Sequence, residues 1–270
     1  MDWDTAYDNS AAIENATHFP PKWHALAARF RDQLGERARN AIPYGETSRE
    51  RFDLFLPAGQ PQGLLVFVHG GYWHKFDRDI WSWVAAGAVA RGWAVAIPGY
   101  TLCPDIRLTG IGRQIGAAIT AAASLVTGPI RLSGHSAGGH LVARMLCAGA
   151  LPPDVARRIA GTVAISGLPD LHPLMQTQMN RLLHITPEEA ARESPVMLIP
   201  IIRAPVTCWV GNDELPEFVR QNTLLEKWRD SGLSVEIVQS PGHNHFTVIE
   251  PMQNPQSPLV AALVSTASPA

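Results

Sequence analysis

The order of apolar runs in this 270-residue chain predicts an α/β fold, with a mostly parallel central sheet and helices on both faces. Three observations carry that expectation. Continuous apolar runs of strand length recur at residues 63–68, 93–97, 162–165 and 206–210, as for strands covered on both faces. Segments with helical spacing lie between them, which implies right-handed crossovers rather than hairpins. Several runs stop at turn residues, such as Gly70-Gly71, Pro98-Gly99 and Gly211-Asn212.

Taken in order, residues 1–48 are polar and irregular and form an N-terminal arm, with a helix expected over 23–39 entered through Pro20-Pro21. Residues 51–56 alternate before Pro57 and read as an outer, half-exposed strand. The buried strand 63–68 comes next. A helix is expected over 79–91, where Ile80, Trp83, Val84 and Ala88 share one face. After the strand at 93–97 comes an alanine-rich helix over 113–125, a short strand at 129–133 and a helix over 139–148. The strands at 162–165 and 206–210, a helix over 216–230 and a last strand at 235–238 complete the pattern. Residues 167–200 carry no clear strand signal and make a small cap. The chain, residues 1–270, is read as a single domain, because the arm and cap are too short to stand alone.

Between the strand at 129–133 and the helix after it lies Gly134-His135-Ser136-Ala137-Gly138. It fits the G-x-S-x-G nucleophile elbow, a strained strand-to-helix turn that holds a serine hydroxyl where a base can reach it. Upstream, the strand 63–68 runs into His69-Gly70-Gly71-Tyr72-Trp73, close to the glycine loop that supplies an oxyanion hole in esterases and lipases. The two together specify the α/β-hydrolase fold. The oxyanion donors are expected from Gly70, Gly71 and Tyr72 on this loop and from Ala137 after the serine. Tyr72 and Trp73 are candidate aromatic contacts for a flat substrate, with packing of Trp73 against the 79–91 helix as the other reading. His135 either touches substrate or packs beside the nucleophile, and His69 orders the loop.

In this fold the acid and base come after the serine in chain order. The acid falls in Gly211-Asn212-Asp213-Glu214-Leu215-Pro216-Glu217. It commonly stands three residues after such a glycine, which selects Glu214; Asp213 is the alternative, and Glu217 is already helical. The base falls in Gly242-His243-Asn244-His245, where His245 is preferred to His243. Two histidines two residues apart suggest a metal, but no matching cluster stands elsewhere, so neither a metal nor a cofactor is expected.

Composition narrows the setting. The formal net charge is −2 and the basic residues are scattered, which argues against nucleic acid or an anionic membrane surface. Cys103, Cys147 and Cys208 are too few and too dispersed for a disulfide framework. No run reaches the roughly 18 apolar residues of a membrane span. Met1-Asp2-Trp3-Asp4 is acidic where a secretory signal is basic and then apolar. A cytoplasmic location is therefore expected. The partner expected is a small-molecule substrate, with no membrane or nucleic acid; a homodimer is left open.

With these residues in place the chain resembles the kynurenine formamidases (arylformamidases). His69-Gly70-Gly71-Tyr72-Trp73 matches their His-Gly-Gly-x-Trp signature, and residues 134–141 are similar to their elbow. Residues 211–218, ending Pro216-Glu217-Phe218, set a register that puts Glu214 at the family's acid position, usually Asp in animal members. His245-Phe246 with Ile249-Glu250 looks like the family's base stretch. The likeness runs over about residues 50–252. It implies hydrolysis of N-formylkynurenine to kynurenine and formate, a step of tryptophan breakdown, without a metal. A carboxylesterase or thioesterase for short acyl groups is the alternative, since one triad serves all three bonds. A non-catalytic binding protein on the same fold is disfavoured, because serine, acid, histidine and oxyanion loop are all present.

Overall fold

Eight strands form one sheet: β1 (Ala38–Pro43), β2 (Arg51–Phe55), β3 (Leu64–Val68), β4 (Ala94–Pro98), β5 (Ile130–His135), β6 (Ile159–Ile165), β7 (Val206–Gly211) and β8 (Val235–Ser240). Their order is β1-β2-β4-β3-β5-β6-β7-β8. β2 runs antiparallel to both β1 and β4, and every pairing from β4 to β8 is parallel. The computed structural model describes residues 2–265.

β3 shows why its sequence is apolar without alternation. Leu64, Val66 and Val68 enter one core with the helices Leu108–Leu125 and Ala137–Arg144, while Leu65 and Phe67 enter a second core with the helices Phe19–Leu34 and Pro258–Val264. Both faces are covered, so no position of the strand meets water.

Four expectations need correction. The first helix is Phe19–Leu34, not 23–39: Gly35 stops it at φ +56°, and residues 38–43 become β1. β2 is therefore neither outer nor half-exposed. β1 closes its free edge, four of its five residues are buried, and Asp53 is held there by Arg78 Nε at 3.1 Å and the Ala41 amide at 2.7 Å. The helix expected over 79–91 is broken into 3-10 turns at Arg78–Ile80 and Ser82–Ala85 before a short helix Ala86–Ala90. Trp81 and Trp83 are both buried, and positions two apart on an α-helix point about 200° away from each other. Tighter turns bring both indoles inward. The expected helix 216–230 is α-helical only over Pro216–Thr223 and continues as a 3-10 run, Leu224–Ser231.

The C-terminal helix Pro258–Val264 has no counterpart among the helices expected from the sequence. It docks on Arg131 of β5, a buried guanidinium that donates to the carbonyls of Ala262 (2.8 Å), Leu263 (3.1 Å) and Ser265 (2.9 Å). These are the carbonyls a helix end leaves unpaired. Burial lowers the Arg131 pKa to about 10, which leaves it charged at neutral pH. Residues 167–200 contain short helical turns after β6 and no strand of the sheet, and the N-terminal arm meets them where the Gln178 amide donates to Asp4 Oδ1 at 2.7 Å. Among the described residues no helix is long and apolar enough to cross a membrane.

Candidate active site

Ser136 stands between β5 and the helix Ala137–Arg144 with φ +57° and ψ −119°. A non-glycine residue there costs on the order of 1–3 kcal/mol, which the surrounding structure must supply. The neighbouring glycines show how tightly the turn is held. A Cβ on Gly134 would land on the Gly138 carbonyl, and one on Gly138 would land on the Val68 carbonyl of β3.

The candidate acid and base follow β7 and β8. Glu214 comes just after β7, with its side chain fully buried, and its Oε2 accepts His245 Nδ1–H at 2.6 Å. Its Oε1 accepts the Gly211 amide at 2.8 Å and the Ser166 hydroxyl at 2.5 Å. Three donors thus converge on one carboxylate, which fixes its orientation and sets the imidazole tautomer with Nε2 free to accept. Asp213, the alternative acid, is exposed, and its side chain takes no hydrogen bond among the described residues. The His245 ring lies between His135 (centroids 4.6 Å) and Phe218 (4.3 Å). His243 is half-buried and gives only its backbone carbonyl, to the Asp213 amide at 3.1 Å.

Ser136 and His245, 2% and 3% exposed, line the floor of a cavity of about 450 Å³. Among the described residues no hydrogen bond joins their side chains. In catalytic serine sites that contact commonly tightens when substrate binds.

The loop after β3 lies against Ser136. A Cβ on Gly70 would sit 3.0 Å from Ser136 Cβ. Gly71, Tyr72 and Trp73 come next, with φ of +114°, +48° and +58°. The amides of Gly71, Tyr72 and Ala137 donate to no acceptor among the described residues. His69 is buried beneath, stacked on Tyr100 at 4.4 Å, with Nδ1 2.7 Å from the Gly70 carbonyl. Burial lowers its pKa to about 4, so it is neutral and holds the loop without adding charge.

The aromatic expectations divide. Tyr72 lines the cavity, and its hydroxyl donates to the Tyr7 carbonyl at 2.6 Å. Trp73 does not line it: the side chain is fully buried and packs edge-on against His140 at 5.2 Å. The positive φ at Tyr72 and Trp73 turns consecutive side chains in different directions, and the larger apolar one goes to the core. The packing is against the elbow helix, not the 79–91 segment. His135 lines the cavity with an unpartnered buried Nδ1, while its Nε2–H donates to the His245 carbonyl at 2.9 Å. Burial first, and the neighbouring His245 second, hold its pKa well below the ordinary histidine value.

Sequence reasoning missed Ser166, which lies just past β6 at φ +48° and holds the carboxylate. It also missed Tyr7, whose hydroxyl donates to Glu217 Oε1 at 2.7 Å and accepts from Gln221 Nε2 at 2.9 Å, pinning the N-terminal arm over the site. A serine at a strand end carries no signal of its own, and the arm shows no periodicity to mark it as a cavity wall. Among the described residues no group of three or more metal-ligating side chains is assembled.

No family model matches the chain. The kynurenine formamidase of Danio rerio is 32% identical over 233 residues, covering 80% of this chain and 79% of its own length. A solved structure from Silicibacter sp., described as a candidate thioesterase, is 49% identical with a TM-score of 0.93 and covers 98% of this chain and 100% of its own. Esterase B of Lactobacillus rhamnosis, 18% identical with a TM-score of 0.67 over 93% of each chain, shares the α/β-hydrolase fold. The sheet order, the elbow and this likeness agree, and the chain belongs to the kynurenine formamidase family.

Proposed function

We propose that this protein is a serine hydrolase acting as an arylformamidase on N-formylkynurenine or a similar small aryl formamide. The observation that carries the reading is that Ser136, His245 (held by Glu214 at 2.6 Å) and the loop residues Gly71 and Tyr72 line one cavity, and that the amides of Gly71, Tyr72 and Ala137, the residue after the serine, donate to no acceptor among the described residues. The relationship to the Danio rerio formamidase supplies the substrate class.

Ser136 Oγ attacks the formyl carbon and gives its proton to His245 Nε2. The negative charge that develops on the formyl oxygen falls to the amides of Gly71, Tyr72 and Ala137. These lose no intramolecular bond among the described residues when they donate, and each such donor is worth about 10²–10³ in rate. Glu214 stabilises the imidazolium. Collapse breaks the C–N bond, the imidazolium returns the proton to the leaving nitrogen, and the aryl amine departs. Water, deprotonated by His245, attacks the formyl ester on Ser136; formate leaves and the serine recovers its proton. Trp73 has no part in substrate contact in this reading, and a cofactor is not required by it. A cytoplasmic location is supported by three cysteines that are all free and buried.

A second reading, an esterase or thioesterase for short acyl groups, is favoured by the 49% identical candidate thioesterase. The two separate in one profile of N-formylkynurenine, nitrophenyl acetate and butyrate, and acetyl and butyryl thioesters. The formamidase reading expects the highest kcat/KM on the formamide. A butyryl ester or thioester turned over better than the formamide reverses the order.

A further inference from the structure

Tyr72 is held in the oxyanion loop by its side chain and not by its backbone. It stands at φ +48° without a glycine's freedom, between Gly71 at +114° and Trp73 at +58°. Its neighbours are tied down locally. The Gly71 carbonyl accepts the His74 and Lys75 amides at 3.0 and 2.9 Å, and the Trp73 carbonyl accepts the Cys103 amide at 2.8 Å. Among the described residues neither the N–H nor the C=O of Tyr72 forms a hydrogen bond. Its hydrogen bonds there are those of its hydroxyl, and both go to the N-terminal arm. Oη–H donates to the Tyr7 carbonyl at 2.6 Å, and Oη accepts from Asn9 Nδ2–H at 3.4 Å.

The arm is built to offer that carbonyl. Asp2 caps the short helix Trp3–Tyr7 by accepting the Asp4 and Thr5 amides, and the helix ends at Tyr7. The last carbonyls of a helix have no partner within it, and the Tyr72 hydroxyl takes up the one at Tyr7. The side chain of Tyr7 is fixed on the opposite side of the site. Its hydroxyl donates to Glu217 Oε1 at 2.7 Å and accepts from Gln221 Nε2–H at 2.9 Å, both on the helix Pro216–Thr223 that follows Glu214. Its ring meets Phe218 edge-on at 5.8 Å, and Phe218 packs on His245 at 4.3 Å. One buried residue therefore touches both halves of the site, the acid and base through its side chain and the oxyanion loop through its carbonyl. We propose that Tyr7 is a positioning residue for the oxyanion hole: the N-terminal arm is a strap that fixes the Gly71 and Tyr72 amides against the helix beside the acid and base, acting through the Tyr72 hydroxyl. The inference rests on the serine-hydrolase reading, whose oxyanion loop this is, and not on the choice between formamide and ester.

The test compares wild type, Tyr72→Phe, Tyr7→Phe and the double variant, each as the full chain. Tyr72→Phe keeps the ring and cuts the strap. Its kcat/KM should fall about tenfold on N-formylkynurenine and on 4-nitrophenyl acetate alike, part of the roughly 10²–10³ that loss of a whole oxyanion donor costs. A second readout is affinity for 2,2,2-trifluoroacetophenone, whose carbonyl carbon bonds to Ser136 Oγ while its oxygen becomes an oxyanion and the serine proton passes to His245. That affinity should fall by the same factor. Tyr7→Phe should cost about threefold alone and nothing further beside Tyr72→Phe, where the strap is already cut. Hydrogen exchange of the His74 and Lys75 amides, which the Gly71 carbonyl holds, follows the loop without any reaction and should quicken about tenfold in Tyr72→Phe. Activity and exchange that both stay within about twofold of wild type in Tyr72→Phe overturn the proposal. So do losses that multiply in the double variant, or a fall in kcat/KM that the ketone affinity does not share. Turnover of the ester without the formamide would sink the formamidase reading and leave the strap standing, because the same amides serve either bond.

Discussion

Glu214→Gln removes one acceptor oxygen from the side chain that orients the base, and the hydrogen bonds around it limit the outcomes to two. The wild-type carboxylate accepts three donors, the Ser166 hydroxyl and Gly211 amide on Oε1 and His245 Nδ1–H on Oε2. A glutamine has a single acceptor oxygen. If that oxygen keeps the two Oε1 donors, its amide nitrogen must face His245 Nδ1 and donate to it. The imidazole then carries its proton on Nε2 and cannot take one from Ser136. The alternative leaves two buried donors facing an NH₂ group and costs about 1–3 kcal/mol for each donor left unsatisfied. The wrong-tautomer outcome is worth about 10⁴ in kcat in a serine triad, or about 5 kcal/mol of activation free energy. Asp213→Asn is the internal control: Asp213 is exposed and donates only its backbone amide, to His243. Its kcat/KM should stay within about threefold of wild type, the ordinary reach of a surface change. Both variants are assayed on N-formylkynurenine and on nitrophenyl acetate, with circular dichroism to check the fold. A loss at Glu214→Gln smaller than tenfold, or a larger loss at Asp213→Asn, would refute the assignment of Glu214 as the group that sets the tautomer.

Three further perturbations have definite expected outcomes. Ser166→Ala leaves Oε1 with only the Gly211 amide, so kcat should fall about tenfold, near the 1.5–3 kcal/mol of a charge-assisted bond partly passed to the base; an unchanged kcat would show that Glu214 needs no such anchor. Gly138→Ala sets a methyl on the Val68 carbonyl and should lower Tm by about 5–10 °C, whereas Gly112→Ala, in a helix with open space around it, should hold or raise Tm; equal melting of the two would contradict the packing described at the elbow. Acid should destabilise the fold through His69 and His140, both fully buried with pKa lowered by burial to about 4 from 6.5. As pH falls below about 6.5 the unfolded chain takes up these protons first, so each imidazole removes up to about 3 kcal/mol of stability by pH 4. Urea unfolding at pH 7.0 and 5.0 measures it, and equal or greater stability at pH 5.0 would contradict the burial of neutral rings.

The parts of the site that are readable in the sequence are those whose chemistry forces a local pattern. Gly134 is required by the Gly138 carbonyl within the turn and Gly138 by the Val68 carbonyl of β3, and both fall inside one five-residue pattern, so the elbow announces itself. β3 and β5 are buried on both faces; β3 reads as an unbroken apolar run, and β5 is marked by the elbow it feeds. Chain position narrows the acid to two neighbours, and the structure turns Glu214 inward and leaves Asp213 in solvent. What stays hidden depends on contacts between distant residues. β1 carries a mostly exposed polar surface and gains its strand form only by pairing with β2, so the first of its residues read as the end of a helix. Trp73 stands on the oxyanion loop in sequence, yet two successive positive φ angles send its ring into the core. Ser166 and Tyr7 act on groups 48 and 210 residues away, and no local spacing marks either one.

Whether Ser136 is a nucleophile activated by His245 and Glu214 is decided by covalent capture. The protein is treated with a fluorophosphonate probe and the adduct located by peptide mass spectrometry. One adduct is expected, on Ser136, formed at a rate that Glu214→Gln and His245→Ala each depress by orders of magnitude, and absent in Ser136→Ala. A protein that stays unlabelled, or labelling of Ser136 that proceeds as fast without His245, would contradict the triad.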